Sequence, residues 1–177
     1  SYTPNIDYIN SQVNTKKEEF KSQLVDHHIN RHQMMHPLLL TEGELLFNSG
    51  ALTKIDFCGN LVWLNDEDEF HHSIEIDSDG NYWVGTWMFP YGLSKKFVGE
   101  DFGVFDDDAI TKISPEGKII YQKSVAQILL ENGLFSQVFG RYRSFLEDPV
   151  HLNDIQPALF DGPHWKKGDL FLSSSVL

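Results

Sequence analysis

The sequence predicts an all-β chain assembled from antiparallel hairpins, and three observations carry that prediction. Short apolar runs alternate with Gly-containing turns from about residue 37 onward, two of the hairpins repeat one another, and histidines recur at hairpin starts in phase with the repeat.

The hairpins are LLLTEGELLF, LTKIDFCGNLVWL, SIEIDSDGNYWVG, ITKISPEGKIIYQ and ALFDGPHWKKGDLFL. Each joins two strand-length stretches across a loop holding Gly or Pro, the signal for a tight antiparallel connection. LTKIDFCGNLVW and ITKISPEGKIIY align without a gap, matching Thr53 to Thr111, Ile55 to Ile113, Gly59 to Gly117 and Trp63 to Tyr121 at a spacing of 58 residues. Short β repeats of this kind predict propeller blades. His36, His72 and His151 precede the remaining hairpins, so each starts the first strand of a four-stranded unit. On this count 36–65 form one blade, 71–123 a second and 151–175 the opening half of a third. The prediction is an incomplete β-propeller of about two and a half four-stranded antiparallel blades, whose open strand edges invite the remainder of a propeller or self-association.

Residues 1–35 differ from the rest and form a separate N-terminal helical segment. They lack glycine, and Phe20, Leu24, Ile29 and the Met34–Met35 pair predict an amphipathic helix from about Lys16, capped by Asn14 or Thr15 and closed by Pro37. Two insertions interrupt the 36–177 β domain. Trp87 to Phe105, rich in Gly and aromatic residues, reads as a loop beside a binding surface. The segment near 125–139 spaces Val125, Ile128, Leu129, Leu134 and Val138 at a helical period, with Gly133 as the break.

Composition narrows the function classes. The 177 residues suffice for one domain with a sizeable core, and 41% hydrophobic with 23% charged residues describe a globular chain. Twenty-six acidic against fourteen basic residues, a net charge of -12, repel a phosphate backbone, so nucleic acid is excluded as a partner. The longest apolar run, around Leu38 to Leu40, is far too short to span a bilayer. No basic, apolar, small-residue pattern opens the sequence at Ser1, so no signal peptide is read there. Cys58 is the lone cysteine, which excludes an internal disulfide.

The strongest chemical motif is His-x-x-acid-Ile, found as HSIEI at His72 and HLNDI at His151. If both open the innermost strands of successive blades, both imidazoles face one channel and can share an anionic ester, donating hydrogen bonds or moving a proton. The competing reading has each ring bonding a loop carbonyl at its own strand start. HHINRHQMMH spaces His28, His32 and His36 four apart, a spacing at which imidazoles share a metal, but no HExxH pattern accompanies it and a solvated helix face is preferred. The acidic runs at Asp66 to Glu69 and Asp106 to Asp108 lack EF-hand spacing and read as solvated turns. Arg141 and Arg143, two of only three arginines with Arg31, read as an exposed pair at a helix C-terminus.

KIDFCGNLVW, FHHSIEIDSDGNYWV and DPVHLNDIQPALFDGPHWKKGDLFLS together resemble the bacterial arylsulfotransferase (arylsulfate sulfotransferase) family over about residues 36 to 175. The resemblance implies a six-bladed propeller that moves a sulfuryl group from a phenolic sulfate ester to a phenol through a sulfated histidine, without the nucleotide sulfate PAPS or any other cofactor. By motif, His72 and His151 match the two sulfate-contacting histidines and are the catalytic candidates. His71 and Asn153 are the secondary, substrate-side candidates: His71 lies on the opposite strand face and packs or bonds within the blade, and Asn153 orients a neighbouring loop. No metal ligand is assigned. Two departures stand out: Ser175 falls where the family places an arginine, and Leu177 comes before the blade that supplies the nucleophilic histidine. The expectation is therefore a fragment of an arylsulfotransferase-like protein, inactive as an isolated chain; the alternative is a non-catalytic propeller used for binding or scaffolding. A periplasmic or exported address is implied by the resemblance alone.

Overall fold

The computed structural model describes residues 3–25, 34–94, 105–139 and 148–175. The chain is mostly β. Six strands, β1 (Met35–Leu39), β2 (Leu45–Ile55), β3 (Leu61–Ile76), β4 (Tyr82–Trp87), β5 (Asp108–Ile113) and β6 (Ile119–Ser124), lie side by side in chain order as one antiparallel meander. β7 (Leu152–Pro157) and β8 (Leu170–Ser174) form a separate two-stranded sheet. No helix among the described residues is long and apolar enough to cross a membrane.

Four turns close in the same way. Gly43, Gly59, Gly80 and Gly117 sit at φ between 80° and 88°, and each donates its N–H to the carbonyl three residues back, at 2.9 to 3.1 Å. Glycine holds that left-handed position without a Cβ penalty. The side chains of Asp56 and Asp77 reinforce their turns by accepting the N–H groups two and four residues on, at 2.8 to 3.0 Å. The sequence repeat extends to strand register: Thr53↔Leu64, Lys54↔Trp63 and Ile55↔Leu61 recur as Thr111↔Gln122, Lys112↔Tyr121 and Ile113↔Ile119. The two copies also touch. Trp63 Nε1 donates to the Pro115 carbonyl at 3.0 Å, and its ring covers Gly117, where a Cβ would fall 2.6 Å from Trp63 Cδ2.

Three sequence expectations need correction. No helix starts at Lys16: the helical turn of α1 spans Ile6–Gln12, with Asn5 as its N-cap, and Glu18–Phe20 is one 3-10 turn. Helical spacing of Phe20 and Leu24 instead buries both against Ala51, with the Gln23 carbonyl lodged where a Gly50 side chain would be; residues 26–33, with His28, His32 and Arg31, lie outside the described residues. Asp66 to Glu69 is no turn but the middle of β3, which runs unbroken through the expected blade boundary. Asp68 is buried there, ion-paired with Lys17 and accepting Gln122 Nε2 at 2.9 Å. Nor are Asp107 and Asp108 solvated: both are 1% exposed. Asp107 accepts Gly92 N, Leu93 N and Ser124 Oγ, a set of donors that a local run of acids cannot reveal.

After β6, Ser124 caps α2 (Val125–Glu131), its Oγ accepting Gln127 N at 3.1 Å, and Gly133 at φ 76° separates α2 from α3 (Phe135–Phe139). Val125, Ala126, Leu130 and Val138 bury their faces against Ile110, Leu152 and Ile155, which seats β7 beside the meander. A second core, Leu46, Leu52, Phe70, Ile74, Val84 and Ile113, runs through the meander itself. Burying such side chains contributes roughly 1.5 to 3 kcal/mol each.

Candidate functional site

Three histidines beside breaks in strand pairing share one uncommon backbone shape. His36, His72 and His151 have φ of 40°, 57° and 47°, the positive-φ residues other than glycine among those described. Each adjoins an irregularity in pairing, between Met35 and Leu38, His71 and Ile74, and Leu152 and Asp154. A bulge re-aims a side chain and frees a backbone group. At His72 the freed carbonyl accepts Asn48 Nδ2 at 3.0 Å, from a fully buried asparagine on β2. At His151 the carbonyl accepts Ser175 N at 3.2 Å.

β7 is stapled to the meander, at β3 and at β5, by polar contacts. Ser73 Oγ hydrogen-bonds Asp154 Oδ1, and Asp108 Oδ2 accepts Leu152 N at 3.2 Å. The result brings the His72 and His151 rings to 5.4 Å between centroids, edge to face. Asp148 fixes His151: one carboxylate oxygen accepts the backbone N–H at 2.8 Å and the other meets ring Nδ1 at 2.5 Å. A carboxylate on Nδ1 holds the proton there and leaves Nε2 to face a ligand. The His151 side chain is 40% exposed. His72 is half-buried, and burial, followed by the charges of His71, His151 and His36, lowers its pKa from the ordinary 6.5; Asp148 opposes the shift.

His71 lies behind His72, its ring 5.1 Å away and 7% of the residue exposed. It packs over Gly85, where a Cβ would approach Cε1 to 3.0 Å, and against Trp87 at 5.4 Å. Its Nε2 is 3.1 Å from Asp108 Oδ1 but off line, so neither atom gains a directed hydrogen bond. Burial raises the Asp108 pKa, with His71 pulling it back. Two residues earlier, Glu69 has a buried Oε2 without a partner, and burial pushes its pKa up to about 7. Asn153 is half-buried in the β7 bulge.

Met88, Phe89, Tyr91 and Phe105, from the insertion read as a loop beside a binding surface, line a cleft of about 480 Å³ with Phe20 and Glu69. Residues 95–104 of that insertion, and Arg141 and Arg143, lie outside the described residues. Among the described residues, no group of three or more His, Cys, Asp or Glu side chains is placed to hold a metal ion.

Sequence reasoning passed over Asn48, Asp108 and Asp148. Asp148 carried a signal, since an aspartate three residues before a strand-opening histidine can bond both its backbone and its ring. Asp108 and Asn48 carried none, because their partners lie 37 and 24 residues away in sequence. A model of the family described as Arylsulfotransferase (ASST) matches residues 36–177. No curated protein matches the chain.

Proposed function

The chain belongs to the arylsulfotransferase family, and on that premise we propose that His72 and His151 are the sulfate-contacting histidines of a site for sulfuryl transfer from a phenolic sulfate ester to a phenol. The observation that carries this reading is the 5.4 Å approach of the two rings from strands 79 residues apart in sequence. Strands β1, β3 and β7 are read as the inner strands of successive propeller blades, each presenting one histidine to the axis.

The chemistry divides among the groups as follows. Asp148 fixes the His151 ring through Nδ1 and turns Nε2 to the sulfuryl group, where His151 is the contact to one of its oxygens. His72, with its lowered pKa, is neutral near pH 7 and can take the proton of an acceptor phenol or return one to a departing phenolate. In the family's first half-reaction the aryl O–S bond breaks as a nucleophilic histidine nitrogen, which the resemblance assigns to neither His72 nor His151, bonds sulfur and the phenolate gains a proton; in the second, an acceptor phenol loses its proton as its oxygen takes the sulfuryl group from that nitrogen. His71, wedged between Gly85, Trp87 and Asp108, positions His72 and does not meet substrate. Asn153 sits one residue past the reacting end of β7 and orients the loop beside it.

The family's arginine position holds Ser175, whose N–H bonds the His151 carbonyl. The same position favours a second reading, a module that binds aryl sulfates without turnover. The chain is expected to bind p-nitrophenyl sulfate while releasing little nitrophenol with phenol as acceptor. Double substitution of His72 and His151 by Gln abolishes that binding. Rapid nitrophenol release would mean the essential groups have been misassigned; unchanged binding by the double variant would remove the site. Ser175→Arg tightens binding several-fold, about the value of one charged hydrogen bond at an exposed position.

A further inference from the structure

We infer that His36 is a third substrate contact, completing with His72 and His151 an arc of imidazoles around the sulfuryl group of an aryl sulfate. The inference rests on the sulfuryl-transfer reading of His72 and His151 and adds a residue to it. The first support is conformational. His36 takes φ 40° where His72 and His151 take 57° and 47°, and no other described residue but glycine does so. Left-handed backbone costs an L-residue roughly 1 to 2 kcal/mol. The three contexts, MHPL, HHSI and VHLN, share only the histidine, so local sequence is not the cause. In His36 the conformation is dearer still, because the following Pro37 favours an extended predecessor. A cost kept at three matching sites, each with the same side chain, points to what that side chain does.

The second support is placement. β1 and β7 both lie against β3 without ladder pairing to it. Burial raises the pKa of Glu75 on β3, and Asp154 and Gln156 of β7 and His36 of β1 all act on the same carboxyl. The groups acting on His72 are His71, His151, His36 and Asp148. His36 is exposed. A sulfate monoester presents three peripheral oxygens, and three successive inner strands then present three imidazoles to them. Neither flanking side chain, Met35 nor Pro37, can donate a hydrogen bond.

The test compares affinity for p-nitrophenyl sulfate, and for inorganic sulfate, across the intact chain, His36→Gln, His36→Gly and His72→Gln, with the imidazole titration of His72 read by NMR. His36→Gln is expected to weaken both ligands about tenfold and to raise the His72 midpoint. His36→Gly, which removes the ring while relaxing the backbone, must show the same loss, so that misfolding is not mistaken for it. Loss in His72→Gln with full affinity in both His36 variants overturns the role of His36 and leaves the sulfuryl reading standing. Full affinity in all three variants overturns the sulfuryl reading, and the inference with it.

Discussion

Turns and bulges solve one conformational problem with different residues. At the hairpin turns, left-handed positions are filled by Gly43, Gly59, Gly80 and Gly117; at the bulges, by His36, His72 and His151. Glycine there is nearly free of cost and makes the turn. Histidine there is strained, and the strain is held by neighbours: Asn48 on the His72 carbonyl, Asp148 on the backbone N–H and ring Nδ1 of His151. The hairpin end is built for folding. The histidine end gives up stability, through backbone strain and through the buried carboxyls of Glu69 and Asp108, to hold imidazoles together.

Substitution can break this contrast at either end. The largest effect is expected at Gly117→Ala, where left-handed strain adds to collision with the Trp63 ring: a loss of about 2 to 4 kcal/mol in denaturant unfolding. A loss below about 1 kcal/mol would mean the turn end is as adaptable as the other.

Glu69→Gln probes the carboxyl cost. The folded pKa of about 7 stands above the ordinary 4.5, so folded protein keeps a proton that the unfolded chain releases. Stability is then highest below about 4.5 and falls as pH rises through 7. The substitution is expected to stabilise by roughly 2 kcal/mol at pH 8 and by nothing at pH 4, measured as the difference in unfolding midpoint at the two pH values. A gain equal at both would assign it to packing instead.

Smaller still, His72→Gly and His151→Gly are each expected to raise stability by about 1 kcal/mol while abolishing aryl sulfate binding. The opposing movement of two readouts sharpens the contrast, since a merely structural histidine would lose stability on truncation.

Much of this was legible in the sequence because it is local. Five hairpins announce themselves by period-two strands around Gly turns, and the spacing between Thr53 and Thr111 carries over to strand register. His72 and His151 stand out for the same reason, each heading the same His-x-x-acid-Ile motif, although β3 begins eleven residues before His72. What was not legible depends on partners far away in the chain. The run Asp66 to Glu69 reads as solvent-facing until Lys17 and Gln122 arrive at Asp68. Asp108 reads likewise until β7 brings Leu152 N and β3 brings His71. Phe20 and Leu24 have helical spacing, yet burial against Ala51 is met by a single 3-10 turn.

The central claim is that His72 and His151 bind one sulfate ester together. It is tested most directly by following both imidazole resonances while p-nitrophenyl sulfate is added to the intact chain. Both are expected to shift along one saturating curve with a common midpoint, with the His72 pKa rising as the anion binds. Curves with different midpoints, or resonances that stay where they began, would contradict it.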